Sequence, residues 1–139
     1  MTEAVLDASV VLKWFRGESE RNSDAARSFR AAFEAGELTV VAPSLLHLEI
    51  VNVAARRWKW PEDALVQLAE GLGELGFELR EPDLVRVAKW TARGLTAYDA
   101  AYVALAEAES MPLVTDDELV LAVAAGIAVG LSEQLGDMG

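Results

Sequence analysis

The chain has 139 residues, with 12 lysines and arginines against 23 aspartates and glutamates, a formal net charge of -11, and no cysteine. The length is typical of one domain with its own core, and the lack of cysteine excludes disulfides, thiolate metal sites and a cysteine nucleophile. A protein that holds nucleic acid only by neutralising phosphates needs an excess of basic side chains, which is absent here. Any action on nucleic acid would therefore need bound cations or a partner.

Neither a targeting segment nor a membrane span is predicted. The start of the chain has no basic segment ahead of an apolar stretch. The longest nearly apolar run has 13 residues, Leu119 to Leu131, which is shorter than the roughly 20 that cross a bilayer. We therefore expect a soluble, cytoplasmic protein that forms a single domain over residues 1–139, with the last few residues as a tail.

Short apolar segments alternate with helical patterns along the whole chain. In order, the patterns predict a strand at 3–7, helices at 9–15 and 19–36, a strand at 38–42, helices at 44–58 and 61–76, and a strand at 77–80. Helices at 82–94 and 96–110, a strand at 112–115, a helix at 116–125 and a strand at 127–131 follow. Apolar strands separated by helices indicate an α/β fold with a mainly parallel sheet covered on both faces. In such sheets, reactive groups lie at the carboxyl ends of the strands.

Asp7 is the first candidate, because it follows the apolar residues 4–6 where a buried strand ends and a helix begins. Aspartate is favoured at such a position as a helix N-cap, which is the structural alternative. Ser9, two residues later, could equally cap that helix. Asp7 is then left without a necessary structural role.

Glu49 lies in the helix at 44–58, whose residues 45–53 are so apolar that we expect most of the helix to be buried. Asn52, three residues later, shares the same side of the helix. A buried carboxylate is costly unless it meets a cation, a metal or a donor. The next basic residue along the helix is Arg56, two turns away, so metal binding or catalysis is favoured. His47 lies on another face, and we interpret it as structural or exposed.

Three further aspartates occur where helices begin. Asp99 follows Thr96 with the spacing of a capping box, and Thr115 stands at the same spacing from Glu118. Asp116 and Asp117 directly follow a predicted strand, so one of them could supply ordinary first-turn charge. Capping remains an alternative for each residue. A shared function is favoured by their joint position at the strand ends.

Convergence of four carboxylates has an energetic consequence. At about 6 Å, each pair repels by roughly 3 kcal/mol at an effective dielectric of 20. Several such pairs would remove a large part of a typical domain stability of about 5–15 kcal/mol, and a divalent cation cancels this repulsion. Oxygen ligands without His or Cys favour Mg²⁺ or Mn²⁺. The chemistry indicated is phosphodiester hydrolysis by metal-activated water.

Four segments together resemble PIN-domain ribonucleases, and among them the VapC toxins of prokaryotic toxin–antitoxin pairs. They are DASVVLKWF at 7–15, the helix of Glu49 and Asn52, TAYDAAYVALAE at 96–107 and LVTDDELV at 113–120. The resemblance runs from residue 4 to about 130. It implies a three-layer α/β/α sandwich, an acidic pocket for Mg²⁺ or Mn²⁺, and endonuclease action on RNA.

The resemblance also implies roles for individual positions. The acidic quartet is matched by Asp7, Glu49, Asp99 and Asp117. Ser9 and Thr115 match hydroxyl positions that orient the quartet, and Asn52 matches a supporting polar position. Asp116 stands where other residues are common in the family, so its role is open. The VapC resemblance further implies a VapB-like antitoxin as partner, and we expect a homodimer with no membrane association.

The densest basic and aromatic cluster of the chain comprises Arg56, Arg57, Trp58, Lys59 and Trp60. One interpretation is a helix end at which the tryptophans pack and the basic charges favour the helix dipole. The other is a surface for RNA phosphates and stacked bases, or for a partner protein. Lys13 and Arg16 are lesser candidates for such a surface.

Two other functions are alternatives. A phosphatase-like α/β domain fits poorly, because the haloacid-dehalogenase pattern has a second aspartate where Ser9 stands. A receiver domain needs a lysine at the end of a late strand, whereas the lysines here are residues 13, 59 and 89. A non-catalytic, acidic metal-binding interaction domain stays open, since intact motifs do not prove turnover.

Overall fold

The structure is a computed structural model that describes residues 2–16 and 22–132. Within these ranges, strands and helices alternate as the sequence predicts. In chain order they are β1 (Thr2–Leu6), α1 (Ala8–Arg16), α2 (Ser23–Glu34), β2 (Leu38–Ala42), α3 (Leu45–Arg56), α4 (Glu62–Glu74), β3 (Glu78–Leu79), α5 (Leu84–Thr91), α6 (Ala97–Glu109), β4 (Leu113–Thr115), α7 (Glu118–Val123) and β5 (Ala128–Gly130).

The strands form one sheet in the order β3-β2-β1-β4-β5, and every pairing in the described part is parallel. Val5 of β1 lies between Val41 of β2 and Leu113 of β4. Helices flank the sheet, so the predicted three-layer α/β/α sandwich is confirmed. The chain leaves β1 toward β2 on one side and later returns to β4 on the other. The carboxyl ends of β1 and β4 therefore form a topological switch point, where open parallel sheets bind ligands.

The core consists of the strands and of helix α6. Residues 4–6, 40–42 and 113–114 are buried, as continuously apolar strands of a covered parallel sheet should be. In α6, residues 100–106 are all buried, and four of these seven are alanines, which allow the helix to approach the sheet closely. Among the described residues, no helix is both long and apolar enough to cross a membrane.

The predicted boundaries differ from the structure in a few places. β3 has only two residues, both exposed, which is typical of a short edge strand. The predicted helix at 19–36 begins at Ser23 in the structure, and residues 17–21 lie outside the described ranges. Residues 133–139, which include the predicted tail, also lie outside them. The expectation that α3 is mostly buried is wrong, because Leu48 is 73% exposed. α3 therefore has a buried side and a solvent side.

Candidate active site

The switch point between β1 and β4 carries the first part of the site. Asp7 directly follows β1, while Asp116 and Asp117 directly follow β4, the neighbouring parallel strand. Glu49 on α3 and Asp99 on α6 come to this region from helices. The fold therefore brings to one region the four carboxylates that the sequence singles out.

Asp7 is buried, with only 6% of its surface exposed, and both of its carboxylate oxygens accept hydrogen bonds. Oδ1 accepts from the Ser9 hydroxyl and from the Ser9 N–H, at 3.0 Å for the latter. Oδ2 accepts from the Thr115 hydroxyl. The main-chain oxygen of Asp7 also accepts from the amides of Val10 and Val11, at 3.2 Å each. Asp7 therefore caps α1, so the expectation that it has no necessary structural role is wrong. Hydrogen bonds to both of its carboxylate oxygens also fix the orientation of the carboxylate.

Backbone amides favour the orientation in which the two hydroxyls donate to Asp7. The N–H of Asp116 donates to the Ser9 hydroxyl oxygen at 2.9 Å, and the N–H of Asp117 donates to Thr115 Oγ1 at 3.0 Å. A hydroxyl has a single proton to donate, so each one accepts from the β4–α7 turn and donates to Asp7. The prediction that Ser9 could cap α1 is wrong, because α1 begins at Ala8 and Ser9 belongs to its first turn.

The environment of Asp7 favours a bound proton or cation despite these hydrogen bonds. The pKa of Asp7 is raised to about 6, because burial raises it more than the hydrogen bonds from Ser9 and Thr115 lower it; the charge of Asp99 raises it further. Desolvation dominates because the dielectric around a buried carboxylate is low. A counter-charge in this place would relieve the cost of burying the ionised group.

Glu49 has a partner that the sequence analysis missed. The Tyr102 hydroxyl, from α6, donates a hydrogen bond to Oε1 of Glu49. Burial raises the pKa of Glu49, the hydrogen bond lowers it, and the charge of Asp99 raises it. Tyrosine in an apolar helix is usually a core residue, which hid this role. The available signal was that Tyr102 carries the single polar group within residues 100–106.

Asp99 links the other three carboxylates electrostatically. Burial raises the pKa of Asp99, the charge of Asp117 raises it further, and the Thr96 hydroxyl lowers it. The charge of Asp99 in turn raises the pKa values of Asp7 and Glu49. The predicted capping interaction of Thr96 is confirmed, because its hydroxyl accepts from the Asp99 N–H at 3.0 Å. This hydrogen bond uses only the backbone N–H of Asp99, so the carboxylate of Asp99 takes no part in it.

Asp117 is the N-cap of α7. Its Oδ1 accepts from the amides of Leu119 and Val120, at 2.9 and 3.0 Å. The predicted capping box from Thr115 to Glu118 is therefore wrong, because the hydroxyl of Thr115 is engaged by Asp7. The capping bonds use one carboxylate oxygen of Asp117.

The side chains as they lie do not form one compact ligand set. Within residues 2–16 and 22–132, no group of three or more acidic or histidine side chains is arranged to hold a metal ion. Burial is the main cause of the raised pKa values of Asp7, Glu49 and Asp99, and repulsion by a neighbouring carboxylate adds to it. This repulsion opposes a closer approach of the carboxylates. The donor set nonetheless fits a hard divalent cation, since it consists of carboxylates that are partly desolvated and repel one another.

Asp116 and Lys13 form a separate interaction beside this region. Lys13 Nζ lies 3.4 Å from Oδ2 of Asp116, and Asn22 Nδ2 donates to Oδ1 of Asp116 at 2.9 Å. Lys13 is only 8% exposed, so its prediction as a surface residue for RNA is wrong. A lysine on an amphipathic helix suggests exposure, but an aspartate from another element neutralises this one. The side chain of Arg16 lies outside the described part of the chain.

The basic and aromatic cluster lies at the end of α3. The ring centroids of Trp58 and Trp60 are 5.3 Å apart, and both side chains pack against the core. The three basic residues of the cluster, Arg56, Arg57 and Lys59, are exposed to solvent. The structural interpretation is therefore confirmed for the two tryptophans.

Two polar residues of α3 differ in their surroundings. Asn52 is exposed, and within the described ranges its side chain has no hydrogen bond. His47 is half-buried, burial lowers its pKa, and its Nε2 has no hydrogen-bond partner there. His47 is therefore a partly packed side chain, which is compatible with the interpretation of this residue as structural.

Comparison with known proteins agrees with this architecture. The PIN domain family model matches residues 4–126. The crystal structure of PAE2754 from Pyrobaculum aerophilum is similar with a TM-score of 0.65 and 26% identity, over 94% of this chain and 91% of that chain. The crystal structure of FitAcB from Neisseria gonorrhoeae is similar in fold, with a TM-score of 0.68 and 16% identity, over 94% of this chain and 99% of that chain. No curated protein matches the sequence. The chain therefore belongs to the PIN domain family.

Proposed function

We propose that this protein is a Mg²⁺- or Mn²⁺-dependent endoribonuclease, the VapC-like toxin of a toxin–antitoxin pair. PIN domains are generally nucleases, which supports a hydrolase acting on phosphodiester bonds. The observation that carries the proposal is the placement of Asp7 and Asp117 directly after the neighbouring parallel strands β1 and β4, at the switch point of the sheet. Burial, and to a lesser extent the charge of Asp99, raises the pKa values of Asp7 and Glu49 there. Such coupled, desolvated carboxylates are typical of functional sites.

In this proposal, Asp7, Glu49, Asp99 and Asp117 hold the cation. A bound divalent cation would lower the pKa of an attacking water and neutralise charge on the scissile phosphate. The contribution of the chain is preorganisation, since Ser9 and Thr115 fix both oxygens of Asp7 and Tyr102 fixes Glu49. Hydrolysis would leave a 3′-hydroxyl and a 5′-phosphate.

Single-stranded or loop RNA fits such a site better than a duplex, because a duplex does not present an isolated phosphate to a recessed pocket. Arg56 follows Glu49 by seven residues, so it lies on the same face of α3, about 10.5 Å further along the helix. Arg56 is exposed there, so in this proposal its guanidinium is available to a neighbouring phosphate. Substrate contacts by Arg56, Arg57 and Lys59 are part of the proposal.

The partner in this proposal is a VapB-like antitoxin, and we expect the protein itself to be a cytoplasmic homodimer. The net charge of -11 and the acidic site favour a cationic partner segment, because opposite charges steer association and pair at short range. An arginine or lysine of the antitoxin would lie among the carboxylates and exclude the cation.

The test is cleavage of labelled, structured RNA by wild type, Asp99→Asn and a matched Asp83→Asn control. Asp83 precedes α5, is exposed and makes no side-chain cap. We expect wild type and Asp83→Asn to cut in Mn²⁺ and to stop in EDTA, while Asp99→Asn stays inactive. Cleavage that persists in Asp99→Asn or in EDTA would point to a contaminating nuclease. Intact RNA with all proteins in Mn²⁺ would leave a non-catalytic metal-binding domain as the better description.

A further inference from the structure

Glu49 differs from the other acidic residues of the site in how it is held. Asp7 is held by two hydroxyls and an amide, and Asp117 is held by the amides that it caps. Glu49 extends from the half-exposed side of α3 on a longer side chain with more rotatable bonds. A long acidic side chain samples many rotamers unless another group fixes it. The single hydrogen bond that fixes Glu49, within the described ranges, comes from Tyr102.

Tyr102 is well suited to hold another side chain in place. It is only 2% exposed and lies in the buried stretch of α6 that packs on the sheet. Its ring has few rotatable bonds and is fixed by packing, so the hydroxyl oxygen has a defined position. Asp99 lies three residues earlier on the same helix, and therefore on the same side of it. One rigid element thus presents both the carboxylate of Asp99 and the hydroxyl that meets Glu49.

We propose that Tyr102 is a positioning residue of this site, whose hydroxyl fixes Oε1 of Glu49 and leaves Oε2 for a divalent cation. Within the described residues, Oε2 has no hydrogen-bond partner. The inference rests on the proposed function, since it requires Glu49 to be a cation ligand. Groups that hydrogen-bond to a ligand in this way orient it, and their loss typically lowers metal affinity about 10–100-fold.

The alternative is that the hydrogen bond matters only for Tyr102, because its hydroxyl would otherwise be buried without a partner. Removal of the hydroxyl then costs nothing at the cation site. Tyr102→Phe separates the two cases, because phenylalanine keeps the ring and its packing and removes only the donor. Tyr98→Phe is the matched control, since Tyr98 lies in the first turn of the same helix and is 66% exposed.

The first experiment is a calorimetric titration with Mn²⁺ of wild type, Tyr102→Phe, Tyr98→Phe and Glu49→Gln, with thermal unfolding to confirm that each is folded. We expect Tyr102→Phe to bind Mn²⁺ about 10–100-fold more weakly, Tyr98→Phe to bind like wild type, and Glu49→Gln to lose most binding. Wild-type affinity in Tyr102→Phe with loss in Glu49→Gln would overturn the role of Tyr102 and leave the proposed function intact. Wild-type affinity in Glu49→Gln would overturn both, because Glu49 would not be a ligand.

A second experiment does not depend on removing the hydroxyl. The chain has two tyrosines, so Tyr98→Phe leaves Tyr102 as the only one. Its ζ carbon, labelled with ¹³C, reports on the hydroxyl during a titration with Mg²⁺. We expect the resonance to shift with the same saturation curve that calorimetry with Mg²⁺ gives for this variant. An unchanged resonance at saturating Mg²⁺ would overturn the inference.

Discussion

The Thr115 hydroxyl donates a hydrogen bond to Oδ2 of Asp7, and so joins the ends of β4 and β1 across 108 positions of sequence. The same hydroxyl accepts the N–H of Asp117, which sets its direction. Asp7 therefore acts only as an acceptor at this contact, as an ionised carboxylate does. Burial acts in the opposite direction and raises the pKa of Asp7 to about 6. Hydrogen bonds therefore stabilise the ionised form of Asp7, whereas desolvation destabilises it.

The first prediction is the pH dependence of stability. The folded pKa of Asp7, about 6, lies above its ordinary value of 3.8, so the folded state binds this proton more tightly than the unfolded state. The resulting stability is fully present below pH 3.8 and is lost as the pH rises through 6. At 1.36 kcal/mol per pKa unit, the contribution of Asp7 is about 3 kcal/mol.

Urea unfolding in EDTA, from pH 4 to pH 7.5, measures this effect. We expect the free energy of unfolding of the wild type to fall over this range, and to fall less in Asp7→Asn, which carries no titrating group there. The raised pKa values of Glu49 and Asp99 leave a residual slope of the same sign. Mg²⁺ should restore stability more at pH 7.5 than at pH 5. An Asp7→Asn slope equal to that of Asp83→Asn would show that Asp7 is not the group responsible.

The second prediction concerns the hydroxyl of Thr115. Thr115→Val removes the donor to Asp7 and the acceptor of the Asp117 N–H, while it keeps the shape of the side chain. We expect a loss of about 1–3 kcal/mol in the free energy of unfolding, because buried polar groups lose their partner. The pKa of Asp7 should rise further. Thr115→Ser keeps the hydroxyl and is the control, and a Thr115→Val protein as stable as Thr115→Ser would contradict the expectation.

The third prediction separates the two roles of Asp117. Its Oδ1 caps α7, and its charge contributes to the acidic site. Asp117→Asn keeps a capping oxygen and loses the charge, so we expect near wild-type stability with weakened Mn²⁺ binding. Asp117→Ala loses both, with about 1 kcal/mol lower stability. Thermal unfolding and Mn²⁺ titration of the pair test this, and equal stability of the two variants would argue against the cap.

Much of the fold follows from the sequence because burial and periodicity are local signals. β2 has the predicted bounds, Leu38–Ala42, since an apolar run between glycine and proline punctuation leaves little choice. β3 is shorter than predicted because a strand at the sheet edge pairs on one side only. The solvent side of α3 was missed, because leucine at position 48 suggests burial while the fold leaves it exposed.

The site is less predictable, since its hydrogen bonds join residues that are far apart in sequence. The positions of Asp7 and Asp117 at strand ends could be predicted from the sequence. The cap of α7 could not, because Thr115 donates its hydroxyl proton to Asp7 and Asp117 is the residue that caps the helix. Tyr102 and Glu49 are 53 positions apart, and nothing local in either helix indicates the pairing. Pairing of Lys13 with Asp116 likewise depends on the packing of α1 beside β4.

The fourth prediction contrasts Asp116 with its neighbour Asp117. Lys13 is buried, and Asp116 lies 3.4 Å from its ammonium group. Asp116→Asn leaves a buried cation with less compensation, which costs up to about 3–5 kcal/mol when the pair is fully buried. We expect lower stability in Asp116→Asn, partial recovery in Lys13→Met/Asp116→Asn, and Mn²⁺ affinity close to wild type. Strong loss of Mn²⁺ binding by a folded Asp116→Asn protein would instead make Asp116 a ligand.

The last prediction concerns the antitoxin. Trp58 and Trp60 form a half-buried aromatic pair at the end of α3, beyond the face that carries Glu49. Tryptophan is enriched among residues that dominate binding energy, and apolar anchors offset the ordering entropy of a partner tail. We expect the tail of the antitoxin to lie over this pair and to place an arginine or lysine among the carboxylates. Replacement of that cationic residue by alanine should weaken binding by about 2–5 kcal/mol.

The measurement is a titration of the protein with the product of the neighbouring gene, followed by RNA cleavage. Trp58→Ala/Trp60→Ala should bind at least about tenfold more weakly, as expected for hot-spot residues, at a temperature where thermal unfolding shows it folded. Leu84→Ala is the control, because Leu84 is 77% exposed at the start of α5. Excess Mn²⁺ should compete with the antitoxin, since both need the same carboxylates. Binding without loss of cleavage would rule out occlusion, and equal binding by the double variant would place the partner on another surface.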